Sequence, residues 1–385
     1  MNEYVVGIIF KNSKKSTYNH NIETPNLLVE FKKIHILENM DFKDFTAGQN
    51  DDERRLDRVL RKFLTDKNLS EIYKLLRKGL IKVKHTKAKP ENHIKNGDVI
   101  SIASFLISDS DISAGPANSV STTANSASVN TSNLEIVFEN QHLLIINKPY
   151  DRTVHGEKDG LYKDVLSYYE SHKTAESASL SFKPGPLHRL DRRTTGLLVF
   201  SKSIEGARWF TKGIQNHTIQ KSYYALIEGK LEKKEEWQDY ITDEENDDKN
   251  AFHKVRATTI KNSVNSKNSF ALAVSFVTPL AYGQYKGKNV TLAEFQIKTG
   301  RKHQIRSQSA LHKHPLLGDT AYGAAPTKNA GPSISTVPAR EFYLQAYKLT
   351  FPKDNPLGLP NEIKIGLSPD FLEQLQCCEI ENPEL

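Results

Sequence analysis

The chain has 385 residues, 37 % hydrophobic and 26 % charged, with a formal net charge of +7. These values predict two or three domains of a soluble, globular protein. They argue against a membrane protein, since apolar runs such as Leu143 to Ile146 fall far short of the roughly 18–20 residues of a span. Residues Met1 to Lys11 lack the basic start and small-residue cleavage site of a signal peptide. The only cysteines, Cys377 and Cys378, are adjacent and make neither a disulfide framework nor a zinc site. A cytoplasmic protein without structural metal is expected.

Residues 1–50 carry no motif; Met40 is the only methionine after Met1, so residues 1–39 read as an upstream extension. From Glu53 to Ala103 there are 14 Lys and Arg against six Asp and Glu, a local excess larger than that of the whole chain. Charge concentrated in this way is the footprint of a nucleic-acid partner. Leu56, Val59, Leu60 and Phe63 fall at i, i+3, i+4 and i+7, one face of a helix, with Arg54, Arg55, Arg58 and Arg61 around it. A second helix carries Leu69, Ile72, Tyr73 and Leu76 against Lys74, Arg77 and Lys78. Ser70 lies near its start, and Gly79 ends it. Leu80 to Val83 and Asp98 to Ile102 then read as strands. Two small basic helices on a hairpin can present cations to phosphates, although plain solvated helix faces share the pattern.

Residues 106–133 lack Lys and Arg and are rich in Ser, Ala, Asn and Thr, so a flexible linker is expected. The remainder, 134–385, reads as one larger domain. It opens with a hairpin over residues 136–148, closed by Lys148-Pro149. Pro186-Leu187-His188-Arg189-Leu190-Asp191-Arg192-Arg193-Thr194-Thr195-Gly196 follows and runs into the buried strand Leu197 to Phe200. A charged loop on a rigid strand is a place for chemistry. The arginines around Asp191 favour its ionised form, which suits a nucleophile. Lys221 to Gly229 is a strand with Tyr223 and Tyr224 on opposite faces, where packing alone would also place tyrosines. Leu292 to Ile297 is an alternating strand leading into Thr299-Gly300-Arg301-Lys302-His303-Gln304-Ile305-Arg306, and Pro315 to Gly323 comes next.

These four segments, Leu134 to Phe351, resemble pseudouridine synthases of the RluA/RluC type. His-Arg-Leu-Asp-x-x-Thr-x-Gly and Thr-Gly-Arg-x-His-Gln-Ile-Arg are the specific signals. Residues 51–105 resemble the S-four-type RNA-binding domain through Arg55-Leu56-Asp57, Leu76-Arg77-Lys78-Gly79, Lys82-Val83 and Gly97-Asp98. Three departures stand out: Lys84-His85 for the usual Asn-Gly, Asp151-Arg152 for small residues, and Gln308 for the usual His. The resemblance implies an α+β fold: a mixed, largely antiparallel catalytic sheet with a central cleft, plus a small α/β RNA-binding domain. It also implies isomerisation of uridine to pseudouridine without a cofactor. Asp191 would be the nucleophile, Tyr223 would stack on uracil and help remove the proton from carbon 5, and Arg306 would pair with Asp191. Arg189 would fill the vacated stack and Ile305 would pack on the base. His188, Thr194 and Gly196 are further substrate-side candidates. A monomer acting on ribosomal RNA is expected, with transfer RNA as the second candidate. A non-catalytic RNA binder would leave Asp191, Tyr223 and Arg306 unexplained, and a glycosidase would need a second acid. The spacing of His303, His312 and His314 fits no common metal pattern.

Overall fold

The computed structural model describes residues 40–107, 134–156, 160–172, 179–243, 255–259, 270–327 and 340–381. Of the expected linker over 106–133, Leu106 and Ile107 are described and pack against the core of the small unit, so that part is not linker; residues 108–133 and 1–39 lie outside the described residues.

The first described unit contains β1 (Phe42–Thr46), β2 (Arg54–Arg55), α1 (Leu56–Phe63), α2 (Leu69–Lys78), β3 (Ile81–Val83), β4 (Thr86–Lys87), β5 (His93–Ile94) and β6 (Val99–Ala103). Its main sheet runs β1-β6-β3-β4, and β2 pairs with β5. The predicted apolar face of α1 packs with Phe45, Ile72, Leu76, Ile81, Ile100 and Ile102 in one core. The sheet begins at Phe42, earlier than the expected boundary at residue 51, because β1 pairs along the whole of β6. β1 turns only Phe45 inward, too little to give a periodic signal. Asn68, not Ser70, caps α2: it accepts from the Glu71 amide while the Glu71 carboxylate accepts from its own. Gly79 closes the helix at a φ of +74°. Lys84 and His85 form the β3–β4 turn with φ of +50° and +57°, the geometry that favours Asn-Gly. Side chains compensate: Lys84 pairs with Asp98 at 2.9 Å, and the His85 ring meets Ser101 Oγ at 3.2 Å.

The larger unit contains β7 (Ile136–Glu139), β8 (Leu143–Lys148), α3 (Leu161–His172), β9 (Gly185–Pro186), β10 (Thr195–Ser201), α4 (Ile204–Gln215), β11 (Gln220–Glu228), β12 (Glu235–Asp243) and β13 (Val255–Thr258). β14 (Ala271–Tyr285), β15 (Lys288–Ile297), α5 (Gln304–Leu311), β16 (Leu344–Thr350), β17 (Glu362–Lys364) and α6 (Pro369–Cys377) complete it. The sheet runs β13-β12-β14-β15-β11-β16-β10-β8-β7, with β9 on β10 and β17 on β16. Among the described strands, only β10 and β16 pair in parallel, over two residues, so the sheet is mixed and largely antiparallel and the fold is α+β. Gly196 makes that short contact possible. Its φ is +107°, and a Cβ there would lie 2.1 Å from the Ala346 carbonyl oxygen. β10 is buried along its whole length and separates two cores. Leu198 and Phe200 pack with Leu161 and Val165 of α3. Leu197 and Val199 pack with Phe210 of α4.

The two units are clasped together. Asp51, fully buried, accepts from the amides of Leu180 and Ser181 at 2.8 and 3.1 Å and from Ser179 Oγ at 2.8 Å. Leu180 completes the core of the small unit. Asn50 Oδ1 accepts from the Ile204 amide at the start of α4.

Candidate active site

β10, β16, β11 and β15 are neighbours in the middle of the sheet. A cleft there is lined by Arg189, Leu190, Asp191 and Thr194 ahead of β10, Tyr223 of β11, Ile297 at the end of β15, residues 301 and 303–306 around the start of α5, and Leu344 of β16. Asp191, Tyr223, Arg306, Arg189, Ile305 and Thr194, expected from sequence to act together, therefore share one cleft. A larger cleft of about 950 Å³ lies between the two units, at the other end of β10. It contains none of these residues, and its four Lys and Arg are matched by four Asp and Glu, so its lining carries no excess of positive charge.

The side chains differ from expectation in how they are held. Two of the three arginines near Asp191 face away from it. Arg192 pairs with Asp151 at 2.9 Å, and Arg193 pairs with Glu341. The positive surroundings come instead from Lys148 and Arg306, with the His303 ring beside the carboxylate. Lys148 is fully buried, and its Nζ donates to the carbonyl oxygens of Pro149 and Arg192 at 2.9 and 2.8 Å. Burial pulls the amine down to about 7, with Asp191 and Asp151 opposing. The sequence did carry a signal for Lys148: it follows Leu144 and Ile146 at period two, so it continues their inward face.

Arg306 was expected to pair with Asp191. Its Nε and Nη2 donate to the two oxygens of Asp319, at 2.7 and 2.8 Å, and both side chains are buried. Arg306 also stacks on Tyr322 and Phe342, with Asp191 as a further charge in its field. Asp319 had no assigned role. Its place in the stretch Leu316-Leu317-Gly318-Asp319-Thr320-Ala321, otherwise apolar or small, is the available clue, because such an acid has to be buried and paired.

His188 does not line the cleft. Its Nε2 accepts from the Val199 amide at 3.2 Å, and its ring stacks on Phe210. Burial, helped by Lys221, drives it down to about 3, so it is a neutral strut for β10. Gly196 likewise serves packing. Thr194 lines the cleft, and its Oγ1 is buried without a hydrogen-bond partner. Tyr223 is buried, and burial together with Asp191 holds its phenol well above the usual range. It is therefore a neutral hydroxyl, suited to stacking more than to taking a proton. A bulge between Ser222 and Tyr223 in the β11–β16 pairing sets its direction.

α5 is bolted to β14. Gln304 donates to the Val274 carbonyl and Ser275 Oγ, and Arg301 Nε donates to the Leu272 carbonyl at 2.9 Å. Gln308, the departure from the usual His, is buried; it accepts from Ser275 Oγ and donates to Asp239 at 2.7 Å each. The three histidines face separate partners. His303 meets Tyr322 and Asp191, His312 meets Asp239, and His314 meets the Glu228 carbonyl. The other departures also find partners: Asp151, at a φ of +59°, holds Arg192, and Arg152 holds Asp164 at 2.8 Å.

Residues 142–311 match the family model described as RNA pseudouridylate synthase. The chain is 33 % identical over 195 residues to the tRNA pseudouridine synthase C of Vibrio cholerae, covering 49 % of this chain and 74 % of that protein. The chain belongs to the RNA pseudouridine synthases, within the RluA type. It is also 29 % identical over 289 residues to the ribosomal large subunit pseudouridine synthase C of Vibrio vulnificus, covering 74 % of this chain and 79 % of that one. With the ribosomal large subunit pseudouridine synthase D of Nitrosomonas europaea it shares 30 % over 227 residues, 59 % of this chain and 60 % of that one. As a pseudouridine synthase it is an isomerase that acts on uridine in RNA.

On the small unit, Arg58, Arg61, Lys74, Arg77 and Lys78 are exposed. Arg54 and Arg55 are committed elsewhere: Arg54 donates to Ser181 Oγ in the clasp, and Arg55 pairs with Asp57 at 2.6 Å.

Proposed function

We propose that this synthase modifies a uridine of large-subunit (23S) ribosomal RNA, with Asp191 as nucleophile. The observation that carries the reading is the convergence of Asp191, Tyr223, Ile305 and Arg189 on one cleft, above a lysine that holds the Asp191 loop. The ribosomal names of two of the relatives favour the target.

The target base leaves its stack at a cost of a few kcal/mol and enters the cleft, while Arg189, exposed at the rim, fills the gap. Tyr223 and Ile305 sandwich the uracil. Asp191 attacks either the anomeric carbon or the ring, and the bond from ribose to nitrogen 1 breaks. The base turns, carbon 5 bonds to the same ribose carbon, the bond to Asp191 breaks and returns the free carboxylate, carbon 5 loses its proton and nitrogen 1 gains one. Arg306, fixed by Asp319, keeps positive charge near the carboxylate. The small unit serves as an S-four-type clamp on phosphates. Five exposed cations predict that log affinity falls with log salt at a slope of roughly −3.5 to −4.5.

The test is Asp191→Asn, combined with mapping pseudouridines in ribosomal and transfer RNA with and without the gene. Loss of product with RNA affinity kept is the expected result. Turnover by the variant overturns the nucleophile, and a missing pseudouridine only in transfer RNA overturns the target.

A further inference from the structure

His303 has no part in the reaction as described, yet its conformation is costly. It precedes α5 with a φ of +49°, a left-handed backbone that costs a residue other than glycine about 1 kcal/mol or more. That backbone turns its imidazole onto Asp191. Nε2 lies 3.8 Å from Asp191 Oδ1, and Nδ1 lies 2.8 Å from Tyr322 Oη. The Tyr322 ring meets the imidazole edge-on, and Tyr322 Oη also accepts from the Val255 amide at 3.2 Å. Tyr322 belongs to the short helical turn Thr320–Tyr322 that follows Asp319. One turn of chain therefore grips both Arg306 and His303.

We infer that His303, anchored by Tyr322, is a positioning residue for Asp191: as a neutral imidazole it directs an N–H at Oδ1 and fixes the orientation of the carboxylate. The inference rests on Asp191 being the reacting carboxylate. The charged and titratable groups facing the ring are Asp191 from the loop before β10, Lys302 and Arg306 from its own segment, and Asp319 and Tyr322 from the turn. Burial, with Arg306 and Lys302, outweighs the two carboxylates and holds the ring below the ordinary histidine range. At neutral pH the ring is uncharged. Protonation in acid adds a cation beside Asp191, stabilises the free carboxylate against bond formation, and slows turnover. A separation of 3.8 Å is long for a hydrogen bond, and contacts of this kind tighten when substrate fills the site.

The test measures single-turnover tritium release from a mixture of ribosomal and transfer RNA transcripts labelled at uracil carbon 5. The variants are His303→Ala, His303→Gln, Tyr322→Phe and Asp191→Asn, with melting curves to verify folding. His303→Ala is expected to slow release roughly 10- to 100-fold at neutral pH with RNA affinity unchanged, the scale of a misplaced reacting group. His303→Gln, which keeps a side-chain N–H, restores most of the rate and removes the wild-type decline on the acid side. Tyr322→Phe loses several-fold. Full activity in His303→Ala overturns the inference. So does a Gln variant that keeps the wild-type acid decline, a comparison that holds even if the Ala variant fails to fold. An active Asp191→Asn overturns the underlying assignment of the nucleophile instead, whatever the His303 variants do.

Discussion

The buried Lys148 amine donates to the carbonyl oxygen of Arg192, the residue directly after Asp191. The Asp191 loop is thus held from below by a lysine that keeps its charge only at a cost. Lys148→Met removes both the tether and the cost. Turnover should fall at least tenfold while thermal stability holds or rises. The sign of the pH effect follows from the shift. The folded-state pKa of about 7 lies below the ordinary lysine value of 10.5, so the unfolded chain binds the extra proton between them. The wild type therefore gains stability as pH rises from 7 towards 10.5. The advantage of the Met variant should be largest below pH 7 and shrink above it, as melting temperatures across pH would record.

Asp319→Ala should be among the most damaging changes outside Asp191. It leaves the Arg306 guanidinium buried without its bidentate partner. Breaking such a pair costs about 3–5 kcal/mol. Denaturant unfolding should show a loss of that order, and turnover should fall with it.

The Lys84-His85 turn predicts a stabilising change. Both residues hold left-handed φ angles that glycine adopts without strain. His85→Gly should stabilise the β3–β4 hairpin by about 0.5–1 kcal/mol, less what is lost with the Ser101 contact. Amide exchange in the hairpin should slow, and pseudouridine formation should not change.

Asp51→Ala strips the clasp of its acceptor and leaves the Leu180 and Ser181 amides buried and unpaired. Each such amide costs about 1–3 kcal/mol while buried. The units should separate to hydrate them. Small-angle scattering should record a larger radius of gyration, and RNA affinity should drop.

The sequence was most legible where periodicity and motif agreed. The α1 face, the hairpin over 136–148, β10 and the approach to α5 stand where their patterns put them. β1 was hidden because a short edge strand with one inward phenylalanine leaves no period to read. The partners of charged groups were legible least. Nothing in the order of residues says that Arg192 and Arg193 turn to Asp151 and Glu341, or that Arg306 meets Asp319, since such pairing is settled by tertiary distance. Lys148 lies between these extremes: its parity along β8 was readable, but the loop it supports was not.

The clasp also bears on how this chain can be divided. Leu180 fills the core of the small unit although it comes well after the expected linker. Cutting at residue 103 therefore removes the small basic unit and at the same time strands an apolar side chain with nothing to cover it. It also leaves a small unit with a hole where Leu180 sat. The border drawn by covalent order is not the border drawn by packing. A chimera that exchanges the N-terminal half for that of a relative would need residues 179–181 exchanged with it.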